Sequence, residues 1–386
     1  MIVTVTEIIS IITVFQLLLF SLFLLTMKKK NEIGFRILSA FLFSNALFII
    51  NFLLHDLEDF FNINLFDFRF IGFSFGYLFG PLLYLYTKSF TKKEFALDKK
   101  DYLHLIPFVI YNVVMLFSYH LLESSEKIYL LQNSMVLPRW ASNVIYFSLH
   151  LQILIYIFFA VSLLNNYRKE LKKVFSSIEK LNLSWLMIIL FGFIFMWVID
   201  FIHFILLRTV NLSASIYNVM NFFSLSINFV FAFLIVYKGL KHPELFYELT
   251  EQAEKIKYEK SSLTKEESIE YLNRLQNYMR SEKPYLEPDL TINDLASKIH
   301  VSTKTLSQVI NENLNQNFFD FVNSYRINKA KEMLSDLEKK TVLEVLYSVG
   351  FNSKSAFNSA FRRHTGLTPT EYKRRSKKEI SPVFRG

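Results

Sequence analysis

Up to residue 240 the chain is built of apolar runs about twenty residues long, at roughly 6–27, 34–54, 69–90, 102–121, 140–164, 183–207 and 214–238. Wound as a helix, each run is long enough to cross a hydrocarbon core of ~30 Å, which takes about 20 residues. Beyond residue 240 the period changes. Apolar positions there recur three or four apart in short segments rich in Lys, Glu, Asn and Ser, the pattern of small amphipathic helices. The pattern predicts an all-α chain in three parts: a bundle of seven membrane-crossing helices over 1–240, a helical linker over 241–284, and a cytoplasmic helical domain with a basic tail over 285–386.

The linker opens on His242 and Pro243, which close the last apolar run, and ends at "KPYLEPD", where Pro284 and Pro288 stop a helix. Within it Ile269, Leu272, Leu275 and Met279 form one stripe. Such a stripe fits either packing on the chain's own C-terminal domain or a homodimer contact through the 264–281 helix. Next, "LTINDLASKIHVSTKTLSQVINENL" has the shape of a helix-turn-helix. Asp294, Leu295, Ala296 and Ile299 give its first helix, His300 to Ser302 the turn, and Thr303 to Asn311 a second helix capped by Ser302. The pattern then returns. Val342, Val345 and Val349 face a core, Gly350 supplies a turn that tolerates positive φ, and Ser353 caps a helix with Phe357 and Phe361 on its inner face. Between the two, Tyr325, Ile327, Ala330, Met333 and Leu334 read as one connecting helix.

Composition agrees with a chain of two regimes. Of 386 residues 52% are hydrophobic, 42 are Phe, and the mean hydropathy is +0.27, too apolar for an ordinary soluble enzyme. The net charge of +9 fits an anionic partner, nucleic acid or lipid headgroups. With no cysteine, disulfides, thiolate metal sites and cysteine nucleophiles are excluded. Charge also orients the apolar half. The first, third and fifth loops hold fourteen basic residues: Lys28, Lys29, Lys30 and Arg36, then Lys88, Lys92, Lys93, Lys99 and Lys100, then Arg168, Lys169, Lys172, Lys173 and Lys180. The alternate loops hold Arg69, Lys127, Arg139 and Arg208 beside the acidic Asp56, Glu58, Asp59 and Asp67. Basic loops stay in the cytoplasm, so the N-terminus lies outside and residue 241 inside, in a multi-pass inner (cytoplasmic) membrane protein. Because Lys28, Lys29 and Lys30 follow the first run instead of preceding it, that run is not read as a cleavable signal peptide.

Within the apolar runs, Gly72, Gly76 and Gly80 recur every four residues and open one helix face to close packing, with Pro81 placed to kink it. Polar residues there include Asn51, Asn112, His150, Gln152 and Asn228. Asp200, His203, Asn218 and Asn221 fall in the outward third of their spans, and they are the candidates for a sensor pocket binding a small-molecule or membrane-borne signal. No spacing matches a metalloprotease or di-iron helix pair, so no metal, cofactor or catalytic residue is expected and the chain does not read as an enzyme.

The run from about 289 to 375 resembles the DNA-binding domain of the AraC family. The likeness is carried by the two helix-turn-helix patterns, the linking "YRINKAKEML", Gly350 and Phe351, Phe357, Phe361, Gly366, Pro369 and Tyr372. Leu346 departs from the family's usual small residue, and Gln308 stands where the first recognition helix often carries Arg. The resemblance implies that the two recognition helices enter successive major grooves of double-stranded promoter DNA, ~34 Å apart on one face. The residues support this: Thr303, Lys304, Thr305, Ser307 and Gln308 on the first helix, and Asn352, Lys354, Ser355, Asn358 and Ser359 on the second, read as exposed groups able to reach bases or phosphates. Arg362, Arg363 and the tail "YKRRSKK" are placed for phosphates. The reading that follows is a membrane-embedded one-component transcription regulator, with the bilayer and DNA as partners. A transporter or intramembrane enzyme carrying an attached regulatory DNA-binding domain is the alternative.

Overall fold

In the computed structural model, the described residues are 4–26, 32–92, 95–133, 135–178, 183–210, 213–241, 263–336 and 340–380. Among them all regular structure is helical apart from one isolated bridge. The chain divides into an N-terminal body, residues 1–164 and 183–249, and a C-terminal body, residues 165–182 and 250–386. Lys28, Lys29, Lys30, Lys93, Lys180, His242 and Pro243 lie outside the described residues, as does the rest of 242–262 in the linker.

The N-terminal body holds α1 (Val5–Thr26), α2 (Glu32–Phe61), α3 (Ile71–Ser74), α4 (Phe79–Thr91), α5 (Ile106–Met115), α6 (Ser124–Gln132), most of α7 (Arg139–Val174), α8 (Ser184–Thr209) and α9 (Ala214–Lys241). Seven helical stretches among the described residues are long and apolar enough to cross a membrane, and they match the seven apolar runs. The third is not a uniform helix. A 3-10 turn at Phe75–Leu78 separates α3 from α4, just ahead of Pro81, whose nitrogen offers no proton to the preceding turn. The glycines act as their spacing predicts. A Cβ on Gly76 would lie 3.0 Å from the Phe48 ring on α2, and one on Gly80 would lie 2.9 Å from Tyr156 on α7. Helix α1 packs on α2 and α9, and a buried Ser21–Ser39 pair, 2.9 Å between hydroxyls, ties α1 to α2. Two of the four basic residues of the sparse loops are neutralised locally, Arg69 by Glu58 and Lys127 by Asp67. That leaves these loops still poorer in free positive charge than a count of residues indicates.

Helix α7 runs past the predicted end of the fifth span at 164, and from Asn165 its turns belong to the C-terminal body. The extension has a local cause in Lys173–Glu170, three apart at 2.7 Å, and a packing cause in Leu171 and Val174, both buried. The rest of that body comprises α10 (Lys265–Ser281), α11 (Ile292–Lys298), α12 (Thr303–Leu314), α13 (Phe318–Ser335), α14 (Val342–Ser348), α15 (Lys354–Thr365) and α16 (Pro369–Ile380). Capping boxes start α10 (Thr264 with Glu267), α11 (Thr291 with Asp294) and α14 (Thr341 with Glu344). Of the linker stripe, Leu275 and Met279 are buried and Ile269 is exposed. Helix α10 packs on α12, where Asn313 donates to the Ser268 hydroxyl at 2.7 Å, so the stripe serves the chain's own domain.

Candidate nucleic-acid interface

The two helix-turn-helix units are built alike. In the first, Ile292, Leu295 and Ala296 of α11, Ile299 at its end, and Leu306, Val309 and Ile310 of α12 are all buried, and the two helices pack on each other. In the second, Val345, Leu346 and Val349 meet Phe351, Phe357, Ala360 and Phe361, with Tyr372 of α16 packed against them. Ser302 and Ser353 cap α12 and α15, accepting from the backbone N–H of Thr305 at 3.0 Å and Ala356 at 3.2 Å. His300 and Gly350 occupy matching places after the first helix of each unit, and both have positive φ, +54° and +88°. Gly350 is also needed for space, since a Cβ there would lie 2.7 Å from the carbonyls of Tyr285 and Leu286. Leu346, at the place of Ala296, is fully buried in the second core. The larger residue is absorbed by packing. After that the units differ: the second turn is one residue longer, and Asn352 is the addition.

Outward faces follow from the helical period. On α12, Lys304, Gln308 and Asn311 lie on one stripe, with Lys304 and Gln308 half-buried and Asn311 exposed. Asn311 completes this stripe and is missing from the sequence-based set. Ser307 is a correction: it was read as exposed but is buried, lying between Lys304 and the buried Ile310, three residues from each. Two side chains of the set are engaged locally. The Thr305 hydroxyl lies 2.8 Å from that of Ser302, and Gln308 donates to Glu312 at 2.9 Å; Thr303 is half-buried. On α15, Lys354, Ser355, Ser359, Arg362 and Arg363 are exposed and Asn358 is half-buried. Arg363 pairs with Asp320 of α13 and lies over Phe319, so it also ties the second unit to the connecting helix. Asn352 donates to Asp289 at 3.0 Å and to Ser177 at 3.4 Å.

Sequence reasoning missed the buried Arg326 on α13. Its Nε donates to the Tyr285 carbonyl at 2.7 Å and its Nη2 to the Glu287 carbonyl at 2.7 Å. The signal was present: Arg326 sits four residues from Val322 and from Ala330, inside the apolar stripe. A charged residue there needs buried acceptors.

Residues 295–375 match a family model described as "Helix-turn-helix domain". Over 87 residues the chain is 29% identical to the melibiose operon regulatory protein of Escherichia coli K12, covering 22% of this chain and 28% of that protein. It is 31% identical over 86 residues to the HTH-type transcriptional regulator ArgR of Pseudomonas aeruginosa, covering 22% and 26%. It is 31% identical over 84 residues to a putative AraC-like transcription regulator of Streptomyces lividans, covering 22% and 27%. Residues 295–375 form an AraC-type helix-turn-helix domain. The chain spans less than a third of the length of each of these three relatives.

In the N-terminal body the four candidate pocket residues are not drawn into one hydrogen-bonded group. Asp200 accepts from Ser224 of α9 at 2.5 Å, a partner the sequence did not single out. The His203 ring stands 5.8 Å from that of Tyr217, and its buried Nε2 has no hydrogen-bond partner. Asn221 is half-buried and Asn218 exposed.

Proposed function

We propose that the chain is a membrane-embedded one-component transcription regulator: the N-terminal body sits in the cytoplasmic membrane and receives a signal, and the C-terminal body binds promoter DNA. The observation carrying this reading is that an AraC-type helix-turn-helix domain shares one chain with seven helices long and apolar enough to cross a membrane. Large apolar side chains stand exposed on those helices, among them Phe15, Phe158 and Phe195, where a bilayer rather than water would cover them. The charge bias of the loops supports a cytoplasmic location for the DNA-binding half. Thr303, Lys304, Gln308 and Asn311 would serve the first groove and Lys354, Ser355, Asn358 and Ser359 the second, with Arg362 and Arg363 on phosphates. The test is electrophoretic retardation of genomic fragments by the intact chain in lipid nanodiscs. Retention of a reproducible subset that persists against excess bulk DNA supports the reading. Equal binding of all fragments, or none, would sink it.

The signal site proposed is the outward pair Asp200 and His203 with Ser224, Asn218 and Asn221 near them in sequence or space. An ionisable residue at this depth stands in apolar surroundings that disfavour it unless it is used or paired. Asp200→Asn and His203→Gln proteins inserted at normal levels are expected to shift basal or induced reporter output. Unchanged output in both would discard the pocket.

A further inference from the structure

The segment joining the fifth and sixth apolar helices is part of the DNA-reading body. Phe175, Ser176 and Ile178 are buried there. Phe175 forms an antiparallel bridge with Thr291, the residue that caps the first helix-turn-helix. The Ser176 N–H and hydroxyl both donate to the Leu290 carbonyl, at 3.1 and 2.6 Å. Arg326 completes the attachment from below, with Nη1 3.1 Å from the Ser176 carbonyl and Nη2 3.1 Å from its hydroxyl. The same guanidinium holds the carbonyls of Tyr285 and Glu287 and lies 5.6 Å from the ring centre of Phe351 in the second unit. Ser177 meets Asn352, the added residue of the second turn. Residues 175–177 therefore lie across the seam where 285–291 of the first unit meets 350–352 of the second.

We infer that residues 175–178 are a positioning element for DNA reading. Seated across the seam, they fix the angle between the two recognition helices, and Ser176 and Arg326 are the positioning residues. The inference rests on the proposed DNA-binding function. Binding in two successive grooves is a linked, two-site event, and the second contact gains its effective concentration only while the angle between the sites is held. A seam clamped through one buried guanidinium and three short chain segments holds that angle. Residues 165–178 continue α7, so the chain joins the seam to that helix directly and not by way of the linker at 242–262.

The absence of native cysteine makes the attachment directly testable. The backbone bond from Ser176 to Leu290 lies one residue beyond the Phe175–Thr291 pair, as it does beside a non-hydrogen-bonded antiparallel pair, whose Cα atoms are about 4.5 Å apart, within disulfide reach. The full chain in nanodiscs is used, with DNA selected from a random pool by the unmodified protein. In the F175C/T291C protein a disulfide is expected to form on mild oxidation. The oxidised form should bind the selected DNA at least about ten-fold more tightly than its reduced form, a comparison that cancels any loss of the Thr291 cap. Ser176→Pro, which removes the N–H and the hydroxyl, should lose on the order of ten-fold in affinity and flatten the salt slope, as phosphates of one groove are released. Ser176→Thr, which keeps both groups, should restore affinity and slope. No cross-link in the embedded chain, or equal affinity of oxidised and reduced forms, overturns the inference. So does a Ser176→Pro protein that inserts and keeps both affinity and slope. If the unmodified chain selects no DNA, the proposed function itself fails first.

Discussion

Glycine 350 and histidine 300 show how one turn geometry is met by two chemistries. Both sit at positive φ after the first helix of a unit, but only at Gly350 do the neighbouring carbonyls of Tyr285 and Leu286 also leave no room for a Cβ. The third case, Gly366, has φ of +75° and open space around it. A comparison of the two glycines separates strain from crowding. Gly366→Ala should cost about 1–2 kcal/mol, the left-handed penalty alone. Gly350→Ala should cost that and more, because backbone must move. Hydrogen-exchange protection of the C-terminal body in the two variants checks the order, and equal losses would show that the crowding at Gly350 relaxes freely. The need for positive φ at Gly350 was legible in the sequence, because glycine there follows a helical stripe. The crowding was not, since it comes from residues far back in the chain. Arg326 was hidden for the same reason: its position in the stripe is visible, but the carbonyls that accept from it lie in two distant segments, at 176 and at 285–287.

Helices in the C-terminal body were legible because each carries its own start signal. Thr341 and Glu344 form one such box, with the Thr341 N–H donating to the Glu344 carboxylate at 2.6 Å and the Glu344 N–H to the Thr341 hydroxyl at 3.1 Å. Thr341→Ala should cost about 1 kcal/mol. The Thr341 backbone N–H first, and the Thr341 hydroxyl second, hold the Glu344 carboxyl below its ordinary range. A carboxyl with a lowered folded value contributes stability above its unfolded value, and loses it as pH falls through the folded one. Acidification should therefore erode protection of α14 in the natural protein more than in Glu344→Gln, and parallel pH profiles would count against the box. Where sequence reading erred, packing overrode the helix period: Ser307 lies within about 40° of Thr303 and the exposed Asn311, yet it is buried. The outer faces of α12 and α15 lead to a contrast in binding. Arg362→Ala should weaken binding to all sequences and lower the salt slope by about one unit per lost phosphate contact. Lys354→Ala or Asn358→Ala should cost about 1–3 kcal/mol on the selected site only. Arg363→Ala removes the tie to Asp320 as well, so its effect should include lower stability of the second unit. Identical behaviour of Arg362→Ala and Lys354→Ala in a salt titration would refute this sorting.

At the scale of the whole molecule, the apolar half was legible in outline because a bilayer demands about 20 apolar residues per crossing, whatever the packing inside. Its internal form was less so: the 3-10 turn before Pro81, the partners of the glycine face and the passage of α7 into the C-terminal body all depend on neighbours far away in sequence. The passage of α7 sharpens the topology argument. If residues 165–178 belong to the body that reads DNA, then the fifth loop must lie on the side of the membrane where DNA is, independently of any count of basic residues. Two lines of reasoning thus support the proposed cytoplasmic side for this loop, one from its five Lys and Arg residues and one from the bonds of Ser176 and Arg326. A reporter active only outside the cytoplasm should be active when fused after Asp59 and silent when fused after Lys173 or at the C-terminus. Activity after Lys173 with a silent C-terminus would leave the DNA-binding half in the right compartment but tear the loop from its seat. Activity at the C-terminus would be the graver result, because an even number of crossings would put an AraC-type domain where it has no DNA to bind.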